Sequence, residues 1–336
     1  MKGYDIMDAK KHVDKYDLFV MSLARCGTNF ISRCLNGHPY INPLDYTRNE
    51  IITRHHRVDI FNNHRLSYYH LHVVNHLSHW DLFSKILTKK HFLYTVRNPL
   101  NLAVSFYNFS LLQYYYGYRV QRPSLDSTLL SRDFLVRQNS IAIGLSLESE
   151  FHHSKCIGFS ALRLDKAQNT MNDISHWLGI ESYNIDDLSK QVESSLSLVL
   201  SFIPMTLMAY SKPVQIFFCE HEGGPATSGF VKHIFRRYIK VVDVDFCEYN
   251  KLYGFVDSDF FASIADHELD SVLYELGYKI RTEFKEWIEI PLSMLNSAQS
   301  EYIECLPKSI ENKILSYYKP YLSQLNKSHP NISDEW

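Results

Sequence analysis

Two arginines, each standing between an apolar run and a helical stretch, are the residues of this chain best suited to hold an anion. Arg25 lies in Leu23-Ala24-Arg25-Cys26-Gly27-Thr28-Asn29-Phe30, after the apolar run Asp17 to Leu23 and at the start of a helix read from Thr28. A loop that curls over a helix N-terminus aims several backbone N–H groups and the positive end of the helix dipole at one point, which favours a phosphate. Gly27 lets the backbone come close, Thr28 and Asn29 can add side-chain donors, and Arg25 adds a fixed charge. The ATP-binding form of such a loop reads G-x-x-x-x-G-K-[ST], and this sequence lacks it, which weakens a kinase or GTPase reading. Taken alone, the loop fits an ordinary strand-Gly-helix turn equally well.

Arg97 ends a second apolar run, and Ser105 follows eight positions later, about two turns into a helix capped by Asn98. Seven residues from Asn98 at ~1.5 Å rise is ~10 Å. An arginine at a strand tip and a serine on the near face of the next helix can hold one phosphate between them. Seen singly, Arg97 reads as a surface ion-pair partner and Ser105 as an ordinary helix serine. Between the two segments, Tyr68-Tyr69-His70-Leu71-His72-Val73-Val74-Asn75-His76 carries three of the 17 histidines. On a strand His70 and His72 face the same side. The H-x-H-x-x-x-H spacing also admits three metal ligands, but no carboxylate or cysteine sits close in sequence. Tyr114, Tyr115, Tyr116 and Tyr118 could line a pocket or simply pack.

These residues need elements to place them. Asp17 to Leu23 reads as a buried parallel strand followed by a helix from Thr28, stopped by Gly37 and Pro39. His91 to Val96 repeats the design: Asn98 suits an N-cap, Pro99 the first helical position, and the helix carries Leu100 to about Tyr116. A third unit is Cys156 to Leu164 with a helix from about Lys166 to Gly179. Strands alternating with helices imply a parallel sheet covered on both faces, with ligands at the carboxyl ends of the strands. Further on, Leu196 to Tyr210 reads as a buried helix or helix pair. A helix around Leu269, Val272, Leu273 and Leu276 stops at Gly277, and a last helix runs from about Pro307 with a kink at Pro320.

The 336 residues are 45% hydrophobic and 21% charged, enough apolar material for a full core and without the composition of a disordered chain. Thirty-five Lys and Arg against 37 Asp and Glu, with no basic block, argue against nucleic acid as a partner. No apolar stretch reaches the ~20 residues needed to span a bilayer, and the N-terminus has no signal-peptide core. The six cysteines form no Cys-x-x-Cys pair, which suits free thiols in a reducing cytoplasm.

Together, R-C-G-T-N-F and Y-T-V-R-N-P-L-N-L-A-V-S-F-Y-N-F resemble, in order, spacing and setting, the two signatures of the sulfotransferase family. That family binds 3′-phosphoadenosine 5′-phosphosulfate (PAPS) and releases the bisphosphate PAP. The resemblance covers about Asp17 to Ile180. It includes Leu162 to Lys166 with His176 to Ile180, and returns faintly over Glu301 to Leu325. It implies a P-loop-like α/β sulfotransferase fold, a parallel sheet flanked by helices with a mainly helical insertion. The whole chain, 1–336, would form a single domain with its core at about 17–180 and 296–326 and an acceptor-shaping region at about 181–295.

Carried over by position, Arg25, Cys26, Gly27, Thr28 and Asn29 would contact the 5′ side of PAPS, Phe30 would pack near the adenine, and Arg97 and Ser105 would hold the 3′-phosphate. Sulfuryl transfer needs in-line geometry, positive charge on the leaving phosphate and a base for the acceptor proton. Arg25 is the candidate for the charge. Family members often place a base histidine on the strand between the motifs, which here makes His72 the first candidate, followed by His76 and His70. The sequence departs from the family at Cys26 and Asn29, where hydroxyl residues are usual, and at Leu164, where a tyrosine often contacts adenine. The family's late basic loop has no clear counterpart, Gly223 to Lys232 and Ser297 to Glu304 both being poor matches. The expected activity is transfer from PAPS to a hydroxyl or amine of a small-molecule or carbohydrate acceptor. The alternatives are a nucleotide-dependent kinase with an atypical phosphate loop and a non-catalytic binding module on the same fold.

Overall fold

A computed structural model of the chain describes residues 16–41, 66–71, 87–185, 195–200, 203–210, 212–220, 238–247, 250–262 and 264–333. Four parallel strands, β1 (Tyr16–Met21), β2 (Ser67–Leu71), β3 (Leu87–Val96) and β4 (His153–Gly158), form a sheet of order β2-β1-β3-β4. Helix α1 (Thr28–Asn36) follows β1. Helices α2 (Pro99–Tyr115), α3 (Leu125–Leu129) and α4 (Ser140–Glu148) lie between β3 and β4, and α5 (Leu164–Leu178) follows β4.

Successive strand residues point to opposite faces, and here both faces are covered. Leu18, Val20 and Leu93 pack with Ile31 of α1 and with Ala167, Met171 and Ile174 of α5. Phe19, Met21, Phe92 and Tyr94 pack the other way, on Leu102 and Ala103 of α2 and Ile141 of α4. This two-sided burial is why the strands read as unbroken apolar runs.

The segment expected to be mainly helical holds a second sheet. After α6 (Ser195–Leu200) come β5 (Met205–Ala209), β6 (Lys212–Cys219), β7 (Tyr238–Cys247) and β8 (Asn250–Asp257), antiparallel in the order β5-β6-β8-β7. The run from Leu196 to Tyr210 is thus a short helix and a strand, not a helix pair. In β5 the buried Met205, Leu207 and Ala209 alternate with exposed Thr206 and Met208, a period of two hidden by the run's overall apolarity.

Beyond α7 (Ser258–Phe261), α8 (Leu269–Trp287) covers this sheet through Val272, Leu276, Ile280 and Phe284. It does not stop at Gly277, which is buried where the helix meets β7, Val241 O lying 3.5 Å from where a Cβ would stand. Packing carries the helix past a residue of poor propensity. Helix α9 (Glu289–Gln299) lies along α2, and α10 (Lys308–Ser328), with Pro320 inside it, returns to the first sheet. There Ile310, Ile314, Tyr318 and Leu325 join the core beside α2 and α4.

Candidate functional site

β1 and β3 are adjacent, but the helices that follow them cover opposite faces of the sheet. The crevice at the carboxyl ends of two such strands is where open α/β sheets take ligands. Arg25 follows β1 and Arg97 follows β3, so both arginines reach this crevice.

The Arg25 loop is braced from beneath. Thr95 Oγ1 donates to Ser22 Oγ at 2.8 Å, Ser22 Oγ lies 3.3 Å from Cys26 O, and the Cys26 N–H donates to Leu23 O at 3.0 Å. Arg25 and Gly27 both adopt positive φ, 67° and 87°, which turns the chain sharply into α1. Gly27 caps that helix without a side-chain acceptor, and its first turn carries no acid. The first N–H groups and the positive dipole end are therefore left for an external acceptor.

Helix α2 is fixed at its start by Asn98, whose side chain accepts from the N–H groups of Leu100 and Asn101 at 2.9 and 3.3 Å, with Pro99 at the first position. This sets Ser105 over the crevice, where Arg25 Nε donates to Ser105 Oγ at 3.0 Å. Arg97 Nη1 donates to the Arg25 carbonyl at 2.8 Å, and its guanidinium lies 4.2 Å from the centre of the Phe159 ring. Arg25 in turn lies 5.2 Å from the Phe109 ring centre. The two arginines and the serine, inferred from separate segments, form one cluster.

No carboxylate pairs with Arg97 among the described residues, and its Nε is buried there without a hydrogen-bond partner. Burial lowers its pKa, the Cys26 sulfur opposes this, and the neighbouring Arg25 charge adds to it. Arginine stays charged through such a shift. Two guanidinium groups beside an uncapped helix N-terminus make a site that an anion would relieve. They border a cavity of about 330 Å³ that also reaches Asn101, Ser105, Phe109 and Tyr302. This is at the lower end of small-molecule clefts, roughly 300–1,000 Å³.

Some sequence-predicted residues lie elsewhere than expected. Cys26 turns its side chain into the core, 0% exposed, with Sγ 3.8 Å from Ser140 Oγ. It offers the crevice no side chain. Thr28 directs its hydroxyl to Ser22 O and Leu23 O at 2.8 and 2.7 Å and so braces the loop rather than donating outwards. Phe30 packs in the core with Ile31, Leu93 and Leu162. Asn29 lies in the first turn of α1. Leu164 is exposed at the start of α5.

His70 is buried and ties β2 to α1, its Nδ1 lying 2.5 Å from Ser32 Oγ. Ser32 Oγ in turn donates to Thr28 O at 2.9 Å. His72, His76 and Gly223 to Lys232 lie outside the described residues. Among those described, no group of three or more His, Cys, Asp and Glu gathers for a metal, and no helix is long and apolar enough to cross a membrane. Tyr115 bonds to Glu301, Tyr116 packs beside Leu112 and Leu295, and Tyr118 is exposed; none of them, nor Tyr114, lines the cavity.

Sequence reasoning missed Asn101, Phe109, Phe159 and Tyr302. The signal for the first was present, since Asn101, Ser105, Asn108 and Leu112 recur at helical spacing and share one side of α2. Phe159 follows β4 at the same carboxyl edge.

A crystal structure of the mouse sulfotransferase SULT7A1 complexed with PAP is similar at 20% sequence identity, over 55% of this chain and 67% of that one, with a TM-score of 0.32. No curated protein matches the chain. The sulfotransferase domain family matches residues 15–153, a span that holds both arginines, Ser105, the loop and three of the four parallel strands in full.

Proposed function

We propose that the chain transfers a sulfuryl group from PAPS to a hydroxyl or amine of a small-molecule or carbohydrate acceptor. The observation that carries this reading is the pair of guanidinium groups at the tips of β1 and β3, with Ser105 bonded to one of them and no carboxylate among the described residues on Arg97. Bound there, PAPS would supply the sulfuryl group and a phosphate leaving group. The chain's own residues supply charge and orientation. Arg97 and Ser105 hold the 3′-phosphate. Arg25, with the N–H groups of Gly27, Thr28 and Asn29, takes the 5′ side and stabilises the negative charge that grows on the leaving oxygen as the S–O bond breaks. The acceptor oxygen or nitrogen forms the new bond to sulfur and loses its proton to a base, for which His72 is the first choice and His76 the second.

A kinase has no use for a clamp on a 3′-phosphate, which weakens that alternative. The described cysteines Cys26, Cys34, Cys156, Cys219 and Cys305 are free thiols, which supports a reducing compartment, the cytoplasm. The region from about 181 to 295 is assigned to the acceptor side.

Calorimetric titration with adenosine 3′,5′-bisphosphate and with ADP tests the proposal. The bisphosphate should bind more tightly, and Arg97→Ala should weaken it by about 30-fold or more, the effect of ~2 kcal/mol from an unpaired charge. Arg97→Lys, which keeps the charge, checks that the variant has not merely misfolded. Binding of ADP but not of the bisphosphate would sink the donor assignment, and binding of neither would point to an inert module.

A further inference from the structure

Tyr302 lies in the connection between α9 and α10, far along the chain from the signatures, yet it lines the cavity with Arg25, Ser105 and Phe109. It is held on both sides. Asn108 of α2 donates from Nδ2 to Ile303 O at 2.9 Å, and its Oδ1 accepts the Ile303 N–H at 3.0 Å, so one amide reads both polar groups of that residue. On the other side the Glu301 carboxylate accepts from the Tyr115 hydroxyl and from Arg122. The segment is thus fixed against α2 at three points.

The Tyr302 hydroxyl makes no hydrogen bond to any described residue, although the side chain is half-buried. A tyrosine hydroxyl in such a place usually has a partner. Burial raises its pKa and the Arg25 charge only partly offsets this, so the phenol keeps its proton at neutral pH. What faces the two guanidinium groups from this side is a neutral, clamped donor.

We infer that Tyr302 is a ligand-binding residue: its hydroxyl donates to an anion bound in the cavity that Arg25, Arg97 and Ser105 line, and Asn108 positions it by gripping Ile303. The inference rests on the donor reading above and adds a residue from outside both signature segments.

Titration of the full chain with adenosine 3′,5′-bisphosphate separates the two claims. Tyr302→Phe keeps the ring and removes only the hydroxyl. It should weaken binding about tenfold or more, as loss of a hydrogen bond to a charged group does, while leaving the melting temperature of the ligand-free protein unchanged. Asn108→Ala should also weaken binding, and the double variant should be little worse than the poorer single one, because both act through the same hydroxyl. Adenosine 5′-monophosphate distinguishes the source of the anion. An equal loss with it assigns the hydroxyl to the 5′-phosphate, whereas a loss confined to the bisphosphate assigns it to the 3′-phosphate. Equal affinity of wild type and Tyr302→Phe overturns the inference, as does a drop in ligand-free stability that accounts for the lost binding. Failure of the wild type to bind the bisphosphate overturns the donor reading instead.

Discussion

Replacing Gly27 by alanine should damage stability and binding together, by an amount that follows from two separable causes. Its φ of +87° is left-handed, which for an L-residue costs about 1–2 kcal/mol. A Cβ there would also stand 2.6 Å from Leu162 Cδ1 and 3.5 Å from Phe159 Cδ2. Leu162 is buried in the α1 and α5 core, so its methyl group has little room, and overpacking of this kind adds roughly 1–3 kcal/mol. The sum is about 2–5 kcal/mol. Gly179, which ends α5 at φ +70°, has nothing within 4 Å of such a Cβ, so Gly179→Ala should show the backbone part alone, about 1–2 kcal/mol. Urea unfolding of the wild type and both variants, with equal slopes, measures the difference. Because Phe159 is the ring beneath Arg97, Gly27→Ala should also weaken bisphosphate binding, and Gly179→Ala should not. Equal destabilisation by the two substitutions would refute the crowding argument, and a loss below about 0.5 kcal/mol in both would refute the left-handed geometry, since that lies within ordinary surface effects.

Asn98→Ala removes the acceptor for two N–H groups at the start of α2 and should lower stability by about 1 kcal/mol, with Asn98→Asp close to neutral, as read by urea unfolding. Burial pushes the Cys26 thiol from 9.0 up to about 11, with Ser140 and the two arginines pulling weakly the other way. A raised thiol pKa gives stability that is complete below pH 9 and is lost as pH rises through 11, up to about 3 kcal/mol. Unfolding at pH 8 and pH 11 should therefore differ more in the wild type than in Cys26→Ala, and a thiol reagent at neutral pH should label exposed Cys305 and spare Cys26. For Glu148, burial alone would raise the pKa, but hydrogen bonds from His329 at 2.5 Å and from the Tyr94 hydroxyl at 2.7 Å outweigh it and the net shift is downward. A depressed carboxylate stabilises above its usual pKa of 4.5 and loses that contribution as pH falls through the folded value. Glu148→Gln should then lower the melting temperature at pH 7 and flatten its fall in acid, and an unchanged acid limb would remove Glu148 from the account.

The parallel sheet was legible because its signals are local. Strand, turn and helix follow one another within a few residues, and Asn98-Pro99 marks the start of α2 by chemistry alone. The misplaced boundary of β3 has a physical reason: after the buried Leu87, the residues Thr88, Lys89 and Lys90 are polar and wholly or partly exposed, so no apolar run links Leu87 to His91. The second sheet was illegible for a related reason. β5 alternates in burial, but it comes shortly after a short apolar helix, and counting apolar residues merges the two.

The site divides along the same line. Residue types in the Arg25 loop and at Arg97 and Ser105 point to the proposed anion site, since the roles proposed for them depend on short spacings set by a strand end and a helix start. The direction of one side chain in that loop is another matter. Cys26 faces the core because two positive φ angles turn the backbone there and because Ser140, 114 residues later, meets its sulfur. The wall opposite α2 is further still from any local signal. Asn108 reads as one more polar residue on a helix face until the chain brings Ile303 back across 195 positions to occupy both ends of its amide. Charge is local to the signatures and neutral shape arrives from afar, so the sequence announces what kind of group binds before it announces what encloses it.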